Sequence, residues 1–226
     1  MAEKPVNPGF LLSKSTFLMG MQCEKLLYLN RFAPHLKTPP DKHTLRLFDM
    51  GKAFEQKYKS QFSRAVDMKE LLKNRFSLYP AETRMAIDAF REVVIFEAGL
   101  LFKEVLVLTD VLIKNMDGSF SVYEIKLNPE LTQAIWWDLS IQYYVCKNSL
   151  PNIRSFNLVS PDSEGGFSVV NYQSELENQI PFTEERIERF KSVFDLSAPP
   201  QVEMGLRCER PYKCGFSNYC RSAKAQ

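Results

Sequence analysis

Two apolar stretches, Leu101 to Asn115 and Ser119 to Lys126, flank the pentapeptide Asn115-Met116-Asp117-Gly118-Ser119. Both stretches read as strands and the pentapeptide as the loop of a hairpin. With a three-residue loop, Met116-Asp117-Gly118, the glycine takes the left-handed position of a type I turn plus bulge. The register then sets Asp110 opposite Glu124. Residues directly opposite share a face and stand close, and the two-residue period of a strand adds Lys126 to that face. A two-residue loop would slip the register by one and separate these groups.

Charges inside apolar strands are costly unless they are paired or bound to metal. Two adjacent carboxylates suit a hard cation such as Mg²⁺ or Mn²⁺. Such a cation can activate a water and neutralise charge on a phosphodiester. Lys126 would orient or deprotonate that water, or stabilise transition-state charge. On spacing alone, a structural salt bridge on an exposed sheet face remains the alternative.

Composition narrows the classes further. The 226 residues are 45% hydrophobic and 25% charged, the balance of a soluble globular protein of one large domain or two small ones. The nine glycines form no phosphate-binding loop motif. Two histidines, His35 and His43, rule out a histidine-rich zinc enzyme and lend little to a Ser-His-Asp hydrolase. No run of about 18 apolar residues suggests a membrane span, and Met1 to Phe10 lacks the layout of a secretory signal, so a cytoplasmic location is expected. The net charge of +2 resolves by position into +5 over residues 1–60, −7 over 61–206 and +4 over 207–226. If the two ends meet, they form one basic face able to attract a polyanion. Lys14, Lys25, Arg31, Arg207, Arg210 and Lys213 are its candidate phosphate contacts.

The pass along the chain predicts a helix from Ser13 or Ser15 to about Arg31. A second covers Thr44 to Phe62 with Leu45, Phe48, Ala53 and Phe54 inward, and a third about Glu82 to Arg91. A strand at Val93 to Ala98 precedes the hairpin. Then come a helix from about Glu130 to Asn148, strands at Asn152 to Ser160 and Phe167 to Tyr172, and a helix from about Thr183 to Phe194. After Pro199-Pro200 the chain reads as coil. The expectation is α/β: a mixed central β-sheet flanked by helices, with an N-terminal helical lobe. Trp136 and Trp137 fit core packing better than base stacking.

Five cysteines complete the pattern. Cys208, Cys214 and Cys220 are equally spaced near the C-terminus, and Cys23 lies 185 positions before the first of them. Four thiolates can hold zinc or an iron–sulfur cluster. Structural zinc sites favour C-x₂₋₄-C knuckles, and none is present. Unrelated free thiols are the bland alternative. Cys146, among apolar residues, reads as a core thiol.

Thr109-Asp110 followed by Glu124-Ile125-Lys126 resembles the D…E-x-K core of the PD-(D/E)XK nuclease superfamily. Gly51-Lys52-Ala53-Phe54-Glu55 is similar to the early-helix motif of its RecB-type branch, with Glu55 at the functional position. Asp138-Leu139-Ser140-Ile141-Gln142 resembles the following helix, with Gln142 as the functional residue. Ser13 to Cys23 together with Cys208-x₅-Cys214-x₅-Cys220 is similar to the iron–sulfur subgroup, which includes CRISPR-adaptation exonucleases and AddB-type helicase-nuclease subunits. The resemblance spans residues 11–222. Glu55 stands where many relatives have histidine, Thr109 replaces a proline, and Cys146 stands where relatives often have tyrosine.

The resemblance implies a restriction-endonuclease-like core over 80–195, a helical lobe over 11–65, and a staple formed by 200–222 with Cys23, all in one domain of 1–226. It implies an Mg²⁺- or Mn²⁺-dependent deoxyribonuclease, expected to act exonucleolytically on single-stranded ends. Asp110, Glu124 and the Ile125 carbonyl would hold the metal, with Glu55 binding directly or through water. Lys126 would position the water, and Gln142 would orient Lys126 or the DNA. Cys23, Cys208, Cys214 and Cys220 would hold a structural [4Fe–4S] cluster, with Zn²⁺ second. A helicase or CRISPR-adaptation partner is implied. The competing classes are a non-catalytic nucleic-acid-binding or helicase-partner module of the same fold, and a zinc-stabilised interaction protein.

Overall fold

The computed structural model describes residues 9–224. A short strand, β1 (Leu12–Ser13), runs into helix α1 (Lys14–Gln22). Ser13 and Thr16 close a capping box, each side chain accepting from the other's backbone amide. The single helix expected as far as Arg31 is in fact two. Cys23 is extended (φ −168°, ψ 121°), and α2 (Glu24–Phe32) starts after it. No glycine or proline marks the break. Its counterpart is tertiary, since Cys23 packs in a separate apolar cluster with Leu26, Leu29 and Phe216.

Helix α3 (Lys42–Lys59) is capped by Asp41, which accepts from the Thr44 amide. Its expected inward face is only partly right. Leu45 and Phe48 are 47% and 54% exposed, and Ala53 is exposed as well. Phe54 and Tyr58, in the last turns, are the residues that pack beneath the sheet. The helical spacing is present, but among the described residues the apolar side chains of the N-terminal half, Leu45, Leu47, Phe48 and Met50, stay exposed.

Strand β2 (Val66–Asp67), α4 (Met68–Leu72) and α5 (Tyr79–Ala89) lead to the central meander. This comprises β3 (Val93–Phe102), β4 (Val105–Lys114) and β5 (Phe120–Ile125). Leu101 belongs to β3, because Lys103 and Glu104 take left-handed conformations (φ 43° and 59°) and form a tight turn before β4. Helix α6 (Gln133–Ser149), capped by Thr132, crosses over to β6 (Ile153–Pro161), which lies parallel to β5. The chain finishes with β7 (Phe167–Asn171), α7 (Gln173–Glu177), α8 (Ile180–Ser192) and α9 (Ser217–Lys224). The expected terminal coil thus contains α9 and a 3₁₀ turn at Leu206–Cys208.

The result is a mixed α/β fold around one sheet of order β2-β3-β4-β5-β6-β7, with β1 pairing alongside β4. The main core lies on the face covered by α1, α5, α6 and α8, where Phe17, Ile87, Leu139, Tyr143, Cys146 and Phe190 meet the strands. Both tryptophans pack against this core, and Trp136 meets Tyr172 edge to face. A smaller cluster under α3 covers the other face, around Tyr58, Val111, Ile125 and Val159.

Candidate active site

The hairpin between β4 and β5 has the three-residue loop. Gly118 is left-handed (φ 82°), its amide donates to the Asn115 carbonyl, and Val111 pairs with Tyr123. Asp110 and Glu124 therefore come next in the ladder. The surroundings differ from an exposed sheet face. Glu124 is 1% exposed and Asp110 9% exposed. Asp110 accepts a 2.7 Å hydrogen bond from the Ile125 amide.

Glu124 Oε1 receives two ammonium groups, Lys126 at 2.5 Å and Lys14 at 3.0 Å. Lys126 also bridges to Asp138 at 2.6 Å, and Lys14 lies 3.8 Å from the same carboxylate. Asp138 in turn accepts from the Gln142 side-chain amide at 2.9 Å, one helical turn along α6. Gln142, fully buried, thus meets Lys126 through Asp138. The second oxygen of Glu124, Oε2, is buried with no hydrogen-bond partner among the described residues. An orphaned anionic oxygen at this depth is what an inner-sphere cation ligand requires.

Charge state follows from these contacts. Burial, and after it the Glu124 charge, push the Asp110 carboxyl well above the usual carboxylate range. Burial also acts to raise Glu124, but Lys126 and Lys14 outweigh it and hold Glu124 ionised far below that range. Burial acts to lower Lys126, yet Asp138, Glu124 and Asp110 prevail and keep it an ammonium. In this arrangement Lys126 is a hydrogen-bond donor and a positive charge, so the deprotonating role weighed for it does not suit its environment.

A second group adjoins Asp110. Carboxylate oxygens of Glu55 on α3, Glu97 on β3 and Asp110 all lie within 4.8 Å of one another. Lys59, only 5% exposed, donates to Glu55 at 2.5 Å and to Glu97 at 2.9 Å. Glu97 is left-handed inside a strand (φ 53°), a conformation that is rare and strained for a residue with a side chain. The strain coincides with a change of phase. Val93 and Ile95 contribute to the main core, and so do Ala98 and Leu100, which alternation would not allow. On β4 the same shift separates Val105 and Val107 from Leu112. Each strand spends one residue on the distortion, so the register is equal on both sides: Val93 pairs with Lys114 and Phe102 with Val105. Glu97 and Asp110 are the two residues so placed. There they meet Glu55 and Lys59 coming from the α3 face, while Glu124 meets Lys14 and Asp138 on the other.

Of the sequence-derived set, Glu55, Asp110, Glu124, Ile125, Lys126 and Gln142 converge here. Sequence reasoning missed Glu97, Lys59 and the role of Asp138, and it assigned Lys14 to the basic surface. Glu97 had one signal, an acid in a β-branched apolar run. Asp138 had its i,i+4 spacing from Gln142. Lys59 had only its i,i+4 spacing from Glu55.

Cys23, Cys208, Cys214 and Cys220 line one cavity with Lys25, Leu26, Leu29, Met204, Arg207 and Phe216. All are free thiols, and no three cysteine sulfurs lie within 4.8 Å of one another. Burial first, then the neighbouring cysteines, push the Cys214 thiol up, and the Phe216 amide donates to its sulfur at 3.4 Å. Gln22 at the end of α1 ties the segment down by donating to the carbonyls of Arg207 (2.7 Å) and Tyr212 (2.6 Å). Cys146 is fully buried in the main core. His35 and His43 are exposed. No helix among the described residues is long and apolar enough to cross a membrane.

No family model matches the chain, and no curated protein matches it either. Among solved structures, an alkaline exonuclease, LHK-Exo, from Laribacter hongkongensis aligns at 12% identity and a TM-score of 0.32, over 52% of this chain and 67% of its own. LHK-Exo in complex with dAMP aligns at 12% identity and a TM-score of 0.34, over 84% of this chain and 91% of its own.

Proposed function

We propose that this chain is a divalent-metal-dependent DNA nuclease of the RecB-type PD-(D/E)XK kind, in a single domain. The observation that carries the reading is the meeting of Asp110, Glu124 and Lys126 at one buried point, with Glu124 Oε2 left without a partner. The donors are all oxygens, which suits Mg²⁺ or Mn²⁺ and not a soft metal. Asp110, Glu124 and the Ile125 carbonyl would hold the ion, with Glu55 and Glu97 beside it. When bound, such a cation supplies Lewis acidity and neutralises charge on a phosphodiester. Asp110 would give up its proton on binding. Lys126, fixed by Glu124 and Asp138, orients the attacking water and offsets the charge that develops on the phosphoryl oxygens. Asp138 and Gln142 act as positioning residues for Lys126. Lys14 adds a second positive charge at the same mouth.

The substrate we infer is DNA, attacked from single-stranded ends. The basic N- and C-terminal regions support a polyanionic ligand, since Gln22 and the cysteine cavity draw them together. For the four cysteines we favour a structural [4Fe–4S] cluster over zinc. Tetrahedral zinc with bonds of about 2.3 Å needs sulfurs about 3.8 Å apart. The four cysteines line one cavity, and a cluster would bind each of them through a different iron.

The deciding experiment is degradation of end-labelled single-stranded DNA with Mg²⁺ or Mn²⁺. Wild-type protein should degrade it, and Glu124→Ala and Lys126→Ala should not. Activity that survives both substitutions defeats the site. Anaerobically purified protein should be brown with broad absorbance near 400 nm, and colourless protein with stoichiometric zinc defeats the cluster.

A further inference from the structure

We infer that Lys59 is a built-in cation that fills the place of a second divalent ion, so that the site takes one metal per chain. This rests on the nuclease reading and sharpens it. Two-metal phosphodiester sites hold their ions about 3.5–4 Å apart across a shared carboxylate. Asp110 has the position of such a shared group. On one side it meets the Ile125 amide and the Glu124 charge. On the other it meets Glu55 and Glu97, all within 4.8 Å. That second side already contains a positive charge, because the Lys59 ammonium donates to both glutamates.

Lys59 is poorly placed to leave. Its side chain is 5% exposed, and its ammonium also lies 5.3 Å over the Phe96 ring. It stands one helical turn from Glu55 on α3, so the helix holds it at the site. A free ion would have to expel a tethered, desolvated ammonium from the two carboxylates to which it donates. Glu97 fits the same account. Its left-handed backbone is strained, and what it gains in return is a carboxylate aimed at Lys59. The pair of glutamates carries two negative charges, which a lone lysine offsets by half. The remaining charge, with Asp110 and Glu124, serves the single ion.

Mn²⁺ stoichiometry on the full-length protein tests this, read by electron paramagnetic resonance and by titration calorimetry. Wild type should bind one Mn²⁺ per chain and Lys59→Met two. The double variant Lys59→Met with Glu97→Gln should return to one. Wild type binding two ions overturns the inference while leaving the nuclease reading intact. So does Lys59→Met binding one ion with unchanged affinity. Wild type binding none overturns the metal site itself, and the inference with it. If Lys59→Met loses its melting transition in chelator, Mn²⁺ should restore it with two ions bound. Failure of Mn²⁺ to restore it counts against the inference.

Discussion

The carboxylate site and the cysteine cavity are assembled in opposite ways. Asp110, Glu124 and Lys126 come from one hairpin, and a three-residue loop is enough to align them. The cavity joins Cys23 to residues some 185 positions on, across the break between α1 and α2 and a tail with little regular structure. The first site is held by ladder hydrogen bonds and a packed core on both faces of the sheet. The second relies on Gln22, a small apolar cluster around Phe216 and, in the function proposed above, the metal ligand its thiols would hold. Closing so long a loop is entropically expensive without such a ligand. Chemistry should therefore fail at the hairpin without loss of the fold, and stability should fail at the tail without loss of the hairpin.

The largest effect separating the two regions is expected at Lys126. Lys126→Ala should lower the rate of DNA degradation by about 10²–10³ or more, as expected for removing a charge that stabilises the transition state. Its thermal midpoint should stay close to wild type. A collapse of the midpoint instead would make Lys126 a structural residue. Cys208→Ser should show the reverse pattern. Loss of a ligand should lower the melting temperature by about 5 °C or more, since each kcal/mol shifts a chain of this size by about 2–4 °C. Hydrogen exchange should rise in α2 and α9 and stay slow in β4 and β5. Uniform acceleration across the sheet would contradict the division.

Metal affinity should also depend on pH in a defined direction. Burial and the Glu124 charge keep a proton on Asp110 above the usual carboxylate range, and that proton must leave before a cation binds. Mn²⁺ affinity should rise with pH, about tenfold per unit while Asp110 is protonated, and then level off. Asp110→Asn should remove the binding and the slope together. An affinity flat from pH 5 upward would refute the account. The smallest effect is expected at Cys146, which belongs to the core of the first region although it is a cysteine. Cys146→Ala should cost about 1 kcal/mol and leave iron content unchanged. Lower iron content would place Cys146 with the other four.

Much of the site could be read from residues near one another in the chain. The Gly118 turn determines the register, the register sets Asp110 against Glu124, and strand periodicity adds Lys126. A helix start at Ser13 or Ser15, of which Ser13 is the cap, and Cys146 as a core thiol followed from equally local rules. The misreadings share a different cause. Leu45 and Phe48 have helical spacing, but spacing does not say whether a neighbour exists to cover it. The break at Cys23 leaves no propensity signal. Glu97 was hidden because two strands shift phase at the same point, and a periodicity argument on either strand sees only an apolar run with one acid.

The sequence by itself therefore determined the mixed α/β order, the hairpin register and the identity of the groups that carry charge into the sheet. These depend on turn conformation and on the two-residue and 3.6-residue periods, which act over a few positions. Only the tertiary structure decided the depth of Asp110 and Glu124, the pairing of Lys14 and Lys126 on one oxygen, and the meeting of Lys59 with Glu55 and Glu97. Burial and ion pairing arise where separate elements pack, and the free energy of a charge is set by everything that surrounds it.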